Sequence, residues 1–257
     1  MTAAAALLGL AAGAGLAFAV WLASLPLRDV SIVDIAWSFL VWLPAAVAAA
    51  ALPHETGPRA GPLLALALVW ALRLSLHLAW RARGRPEDPR YQAMRARHQP
   101  HFGLKSLWLV FALQALLGWV VAWPLMAAAA SAAPWRMLDG IGLALMAFGI
   151  AFEALADRQL ARFRADPAQR GRVLDSGLWR YSRHPNYFGE CCVWWGAWLV
   201  AAAGGGWWSV VSPLLMTLLL LKVSGVPLLE AHLGQQRSAY ADYARRTNAF
   251  VPGRPRP

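Results

Sequence analysis

Long apolar segments separated by short polar stretches dominate the chain. A run of about 20 mostly apolar residues is long enough to cross the hydrocarbon core of a bilayer as an α-helix. Seven such runs are predicted to form transmembrane helices, at residues 3–25, 32–52, 62–82, 105–130, 136–157, 187–203 and 207–229. Three consecutive glycines at 204–206 separate the last two runs, which predicts a tight helical hairpin. The pattern therefore predicts an all-α, polytopic membrane protein.

Composition excludes the two main alternatives to a membrane protein. Hydrophobic residues make up 59% of the chain and charged residues 14%, whereas soluble domains usually carry about 25% charged residues. So few charges cannot cover a water-soluble globule, and so much apolar material is not left solvated in a disordered chain. The 15 Trp residues suit two membrane interfaces, where Trp is enriched. The two cysteines are adjacent, so neither a disulfide framework nor a metal site is predicted.

Basic residues are concentrated in three polar segments. The net charge is +11, and 19 of the 24 Lys and Arg residues lie in 81–105, 158–183 and 231–257. Cytoplasmic loops of membrane proteins carry an excess of Lys and Arg. These segments are therefore predicted to be cytoplasmic, with the N-terminus outside and the C-terminus inside. A second interpretation gives the arginines an additional role, the binding of an anionic ligand at the cytoplasmic face.

Ionisable residues interrupt the apolar helices, where an unpaired charge is costly. They are Asp34, Arg73, His77, Glu153, Asp157, Glu190 and Glu230. Pairs four residues apart, which share a helix face, are Arg73 with His77, Glu153 with Asp157, and Asn186 with Glu190. One interpretation is a polar cavity open to the cytoplasm, with its deeper floor near Asp34. The other is a set of structural ion pairs, in which Asp34 binds Arg28 or Arg73.

The segment 172–190 carries the densest candidate chemistry. Pro185 is suited to the first turn of a helix, where its missing N–H is not needed. The N–H groups of that helix start, together with Arg172, Arg180 and Arg183, suit phosphate oxygens. Aromatic residues that can stack on a flat ring are Trp179, Tyr181 and Tyr187. The alternative is a membrane-surface loop anchored by Trp and Arg. The chain has no Gly-x-Gly-x-x-Gly motif after a strand and no Walker loop.

Four motifs resemble the steroid 5-alpha-reductase family, especially its bacterial branch of small membrane proteins. They are Asn186-x-x-x-Glu190 within 172–190, Glu153-x-x-x-Asp157 followed by Arg162 and Arg164, Arg83-Gly84-Arg85-Pro86, and a tail with Glu230-Ala-His232 and Tyr240-Ala-Asp242-Tyr243. The resemblance is good over 80–257 and poor over 1–79. It implies a seven-helix reductase in the bacterial cytoplasmic membrane, with an active site open to the cytoplasm.

The resemblance also implies a cofactor and a domain organisation. The cofactor is NADPH, and its contacts would be Arg83, Arg85, Glu153, Asp157, Arg164, Arg172, Tyr181, Asn186, Glu190, His232, Tyr240 and Tyr243. The whole chain, 1–257, would be a single membrane-embedded domain, with substrate-side helices in 1–79 and cofactor-binding helices and loops in 80–257. The expected partners are the bilayer and a lipophilic small molecule, without nucleic acid and without an obligate protein partner.

The implied reaction is reduction of the C4–C5 double bond of a 4-ene-3-oxosteroid or a similar enone lipid. Hydride is added at C5 and a proton at C4. Animal members polarise the 3-keto oxygen with a Glu in the second helix and a Tyr in a later one. The matching stretch here offers Asp34, and the third predicted helix offers Arg73 and His77 in place of a Tyr. These three residues are the predicted catalytic set.

Two other functions remain open from the sequence. The run Arg183-His184-Pro185-x-Tyr187-x-Gly189 and the C-terminal tail also resemble isoprenylcysteine carboxyl methyltransferases, which bind S-adenosylmethionine. That cofactor has no phosphate, so the surplus of arginine in 158–183 favours NADPH. The third possibility is a non-enzymatic membrane protein or a transporter. Transporters often show broken helices in paired halves, and no such pairing is visible.

Overall fold

The computed structural model describes residues 1–52, 57–223 and 239–256. It is all-helical, with 77% helix and no strand within these residues. We number its main helices α1 Ala3–Leu27, α2 Ile32–Ala50, α3 Ala60–Ala82, α4 Pro89–Arg97, α5 Phe102–Val121, α6 Trp123–Ala129, α7 Met137–Ala165, α8 Pro185–Ala203, α9 Trp207–Val223 and α10 Ala239–Arg246. Short 3-10 turns lie at Pro167–Gln169 and Gly177–Arg180. The predicted all-α class is confirmed for the described residues.

Among the described residues, five helices are long and apolar enough to cross a membrane, namely α1, α2, α3, α5 and α7. The predicted single helix at 105–130 is wrong, because the chain forms α5 and α6 there instead. The two helices meet at Ala122, and α6 carries Pro124 in its first turn. A proline has no N–H to continue the hydrogen bonding of a preceding helix. In addition, α7 continues to Ala165, eight residues beyond the predicted 157, and its last turn is basic.

The chain forms two compact units, residues 1–137 with 200–212 and residues 138–199 with 213–257. In the first unit, α1 and α2 pack closely and are joined by a turn in which Arg28 adopts a left-handed conformation (φ 52°). Gly118 of α5 lies so close to α2 that a Cβ there would be 2.6 Å from the Leu40 carbonyl oxygen. Phe102 and Phe111 of α5 are fully buried beside these helices.

A buried arginine lies at the end of the first unit where α3 begins. Arg59, just before α3, is fully buried and donates hydrogen bonds to the carbonyl oxygens of Ala133 (2.5 Å) and Pro134 (2.8 Å). Its guanidinium also lies over the ring of Trp135, 5.9 Å from the centroid. The linker before α7 is thereby attached to the start of α3.

In the second unit, α7 and α8 are antiparallel and cross at four glycines. A Cβ on Gly189 would be 2.8 Å from the Gly149 carbonyl oxygen, and a Cβ on Gly196 would be 2.6 Å from the Gly142 carbonyl oxygen. Small residues of this kind allow helix backbones to approach closely. The contact fixes the position of one helix along the other, and therefore fixes which polar side chains face each other.

Candidate active site

Asp34 lies in the first turn of α2 and is held by two residues of α4. Its Oδ1 accepts a hydrogen bond from the Tyr91 hydroxyl (2.7 Å), and its Oδ2 accepts one from Arg90 Nη2 (2.7 Å). Tyr91 is almost fully buried, whereas the side chains of Asp34 and Arg90 are 26% and 43% exposed. The carboxyl group of Asp34, a phenol and a guanidinium therefore meet at the end of the first unit where α2 begins.

The start of α4 is built to bring Arg90 and Tyr91 to this position. Asp88 is the N-cap residue, and its Oδ1 accepts from the backbone N–H of Arg90 and from Arg90 Nε, both at 2.9 Å. Pro89 occupies the first helical position, which it favours. Burial acts to raise the pKa of Asp88, but the bonds and charge of Arg90 outweigh it and lower this pKa. Arg90 is therefore a bridge between two carboxylates.

Tyr91 remains a proton donor in this environment. Burial raises the pKa of its hydroxyl well above the usual value, and the negative charge of Asp34 raises it further. The phenol consequently stays protonated throughout the physiological pH range. Neither Tyr91 nor Arg90 is marked by the hydrophobic pattern, although the Asp88-Pro89 helix-start signal just before them was readable.

A second ion pair fixes the turn between α1 and α2. Glu87 accepts from the Val30 backbone N–H (2.8 Å) and from Arg95 Nε (3.0 Å) and Nη2 (2.8 Å). Arg95 also donates to the Arg28 carbonyl oxygen (3.1 Å), and its guanidinium lies 4.9 Å from the centroid of Phe102. This network attaches α4 to the turn that precedes Asp34.

The other two predicted catalytic residues lie on α3. Arg73 and His77 are both half-buried, and the His77 ring lies 6.2 Å from that of Trp80. Asp34 binds Arg90 and Tyr91 of α4, and a triad of Asp34, Arg73 and His77 stays a prediction. A groove of about 450 Å³ lies nearby between α1, α2 and α3, and its lining includes Val20, Ile35 and Ser75. Of the described residues that line this groove, Ser75 is the polar one.

Four predicted cofactor residues come together where α7 faces α8 in the second unit. Glu153, Asp157 and Glu190 are all nearly fully buried. Asn186 Nδ2 donates to Asp157 Oδ1 at 3.3 Å, and Glu190 Oε1 accepts from the Trp194 indole N–H at 2.9 Å. The i, i+4 spacing on each helix, combined with the glycine crossing, explains this arrangement. The result is a cluster of buried side chains between the two helices that is rich in hydrogen-bond acceptors.

The C-terminal tail packs against the loop that precedes α8. The Tyr243 hydroxyl donates to the Trp179 carbonyl oxygen (2.6 Å), and Arg183 Nη1 donates to the Ala244 carbonyl oxygen (2.9 Å). Ser182 Oγ, which the sequence does not mark, donates to the Phe250 carbonyl oxygen (2.7 Å). These bonds give Tyr243 and Arg183 a structural role in holding the loop.

The remaining predicted cofactor residues are dispersed. Arg164, Arg172 and Tyr181 are exposed in the second unit, and Tyr240 is buried with its ring 5.8 Å from that of Tyr243. Arg83 and Arg85 are exposed in the first unit, just after α3. His232 and Glu230 lie outside the described residues. Within the described ranges, no group of His, Cys, Asp and Glu residues could hold a metal ion.

Long apolar helices with buried acidic clusters define a helical protein of the kind that spans membranes. A family model matches residues 20–247, and the chain belongs to this family, DUF1295, a family of proteins of unknown function. Neither the curated proteins nor the solved structures include a match to the chain.

Proposed function

We propose that the protein is a membrane-embedded, NADPH-dependent reductase of an enone lipid of the 4-ene-3-oxosteroid type. The observation that carries the proposal is the buried cluster of Glu153, Asp157, Asn186 and Glu190 between α7 and α8. The DUF1295 family is associated with steroid 5-alpha-reductase-like proteins, which supports the same reaction. The proposal includes seven membrane crossings, a cytoplasmic active site and a place in the bacterial cytoplasmic membrane.

The chemistry of the cluster fits a nicotinamide dinucleotide. Glu153, Asp157 and Glu190 bring three buried carboxyl groups together, and a ligand with several hydrogen-bond donors suits such a group of acceptors. Ribose hydroxyls and the carboxamide NH₂ of the nicotinamide are such donors, and Asn186 can both donate and accept. The exposed guanidiniums of Arg164 and Arg172 suit phosphate oxygens. When bound, NADPH supplies the hydride, while these residues bind and orient it.

The Asp34 cluster fits the polarisation of a carbonyl group. Negative charge develops on an enone oxygen as hydride is added at the β-carbon, and donors aimed at that oxygen stabilise it. Tyr91 and Arg90 are protonated donors that Asp34 holds in position. We infer that the substrate carbonyl accepts from a further N–H of Arg90, which Asp34 orients, and from the Tyr91 hydroxyl once its single O–H turns from Asp34 to the substrate. The apolar groove lined by Val20 and Ile35 suits a lipid-soluble substrate.

The test measures cofactor binding and turnover on the same purified protein. We expect NADPH to bind and to be oxidised when a 4-ene-3-oxosteroid is added. Asn186→Ala and Arg172→Ala should each weaken NADPH binding at least about tenfold, near 1.4 kcal/mol. Tyr91→Phe should retain NADPH affinity but lower turnover about 10²-fold. Ser209→Ala is the control, since its hydroxyl donates to the Gly206 backbone carbonyl (2.7 Å) and Ser209 is not among the predicted site residues. If the protein binds S-adenosylmethionine but not NADPH, the reductase proposal is wrong and the methyltransferase function is favoured.

The proposed topology has its own test. Reporter fusions at Glu87 and Gln169 should both report a cytoplasmic position, because both lie in basic segments. An external signal from either fusion would contradict the arrangement with seven crossings.

A further inference from the structure

The seven basic residues of segment 81–105 fall into two classes. Arg90 is bound to Asp34 and Asp88, and Arg95 is bound to Glu87. The side chains of the other five are exposed: Arg81, Arg83, Arg85, Arg97 and Lys105. The acids of this segment are Glu87 and Asp88, and both are already engaged by Arg95 and Arg90. The five exposed cations therefore leave this end of the first unit with a strongly positive surface.

Large apolar side chains are exposed next to these cations. Trp80, which precedes Arg81 at the end of α3, is 57% exposed, and Trp108 near the start of α5 is 72% exposed. Leu104 lies one turn before Trp108 and is 60% exposed. The end of α3, α4 and the start of α5 all lie at the end of the unit where α1 meets α2. Exposed indoles beside arginines are typical of the headgroup region of a bilayer.

We propose that this surface binds the headgroups of anionic phospholipids. It comprises Arg81, Arg83, Arg85, Arg97 and Lys105 with Trp80, Leu104 and Trp108, and we call it the basic surface. The cations complement a lipid phosphate that carries a net negative charge, and a juxtamembrane Lys or Arg contributes about a fivefold factor in attraction to an anionic leaflet. A lipid beside Trp80, Leu104 and Trp108 would bury their exposed apolar area.

Binding of a soluble phosphate compound would account for fewer features of the basic surface than binding of a phospholipid. Arg83 and Arg85 are also predicted contacts of NADPH, so part of the charge has a competing use. A nucleotide base could stack on one exposed indole, but it would leave other exposed apolar side chains such as Leu104 uncovered. The combination of charge with apolar side chains therefore favours a lipid, and the competing phosphate source becomes an arm of the test.

The experiment measures which phospholipids the full-length protein retains. Wild-type protein in detergent is mixed with equal amounts of phosphatidylglycerol and phosphatidylcholine, and bound lipids are counted by native mass spectrometry. The test variant is Arg81→Gln/Arg97→Gln/Lys105→Gln, which leaves Arg83 and Arg85 in place. The control Arg170→Gln/Arg254→Gln/Arg256→Gln removes three exposed charges from the second unit.

We expect wild type and control to prefer phosphatidylglycerol, and the test variant to lose at least about tenfold of that preference. Lys105 also donates to the His98 carbonyl oxygen (3.1 Å). The double variant Arg81→Gln/Arg97→Gln therefore repeats the test with that bond intact and should lose part of the preference.

Three outcomes would overturn the proposal. One is equal retention of both lipids by the wild type, and another is an unchanged preference in the triple and double variants. The third is displacement of phosphatidylglycerol by NADPH or by inorganic phosphate, which would assign the basic surface to a soluble anion. None of these readouts depends on reductase activity, so failure of the reaction proposal would leave the lipid result interpretable.

Discussion

The substitution Gly189→Ala, which adds a single methyl group, tests the proposed cofactor site directly. Gly189 lies on α8 between Asn186 and Glu190, where the helix backbone closely approaches α7. A Cβ there would be 2.8 Å from the backbone nitrogen of Glu153 and from the Gly149 carbonyl oxygen. Ordinary contact begins near 3.4 Å, so Gly189→Ala must separate the two helices by about 0.6 Å at this point.

The separation has two separable consequences. Overpacking of this kind typically costs about 1–3 kcal/mol of stability. It also acts on the hydrogen bond from Asn186 to Asp157, which already measures 3.3 Å. A further 0.6 Å would lengthen it to about 3.9 Å, which is beyond hydrogen-bond distance. We therefore expect Gly189→Ala to lower NADPH affinity about tenfold, equivalent to roughly 1.4 kcal/mol.

Gly196 provides the matched control. A Cβ there would be 2.6 Å from the Gly142 carbonyl oxygen and from the Met146 backbone nitrogen, so Gly196→Ala should destabilise at least as much. It lies ten residues from Asn186, however, roughly 15 Å along the helix. Thermal unfolding in detergent and an NADPH titration would be measured on both variants. Equal loss of affinity in the two, or none in a destabilised Gly189→Ala, would refute the reasoning.

Three further changes test the first unit. Asp34→Ala should retain NADPH binding but lower steroid turnover about 10²-fold, with Asp34→Asn between it and wild type; a stable Asp34→Ala with wild-type turnover would contradict the role. Arg59→Ala removes the donor to two backbone carbonyls and should lower the free energy of unfolding by about 1–3 kcal/mol for each of them in denaturant unfolding, whereas an unchanged midpoint would contradict a structural role. Burial acts to raise the pKa of Glu87, but its bonds from Arg95 lower it below 4.5. This pair should therefore stabilise the fold by about 1–2 kcal/mol above pH 4.5 and progressively less as the pH falls further. Melting of wild type and Glu87→Gln from pH 3 to 7 should converge at low pH, and a constant difference would exclude the linkage.

Hydropathy predicts helices well and their interruptions poorly. The apolar run from 105 to 130 has no polar break, so a length rule counts one helix, whereas Pro124 starts a new one after Ala122. The opposite error applies to α4, which is only nine residues long and polar, and therefore leaves no apolar signal. Its start was nevertheless readable, because Asp88 followed by Pro89 is a typical helix N-terminus.

Side chains on one helix can be grouped from spacing alone, but partners across helices cannot. The i, i+4 pairs on α7 and α8 were predictable, and the close glycine crossing explains why they meet. The partner of Asp34 was not, because Tyr91 is 57 residues away and reaches it only after α4 has packed beneath the α1–α2 turn. Hydrophobic patterns and residue spacing do not predict such a contact between segments that are far apart in the sequence.

Arginines with the same charge have different roles, and the degree of burial of each side chain distinguishes these roles. Counting by segment treats the seven basic residues of 158–183 alike, and that count favoured a phosphorylated cofactor. Arg183, however, donates to the Ala244 carbonyl oxygen and helps to hold the tail, so it adds little to a phosphate site. Arg164 and Arg172 are exposed, so a phosphate group at the surface can reach them. The case for NADPH over S-adenosylmethionine therefore depends on these two residues and not on the size of the cluster.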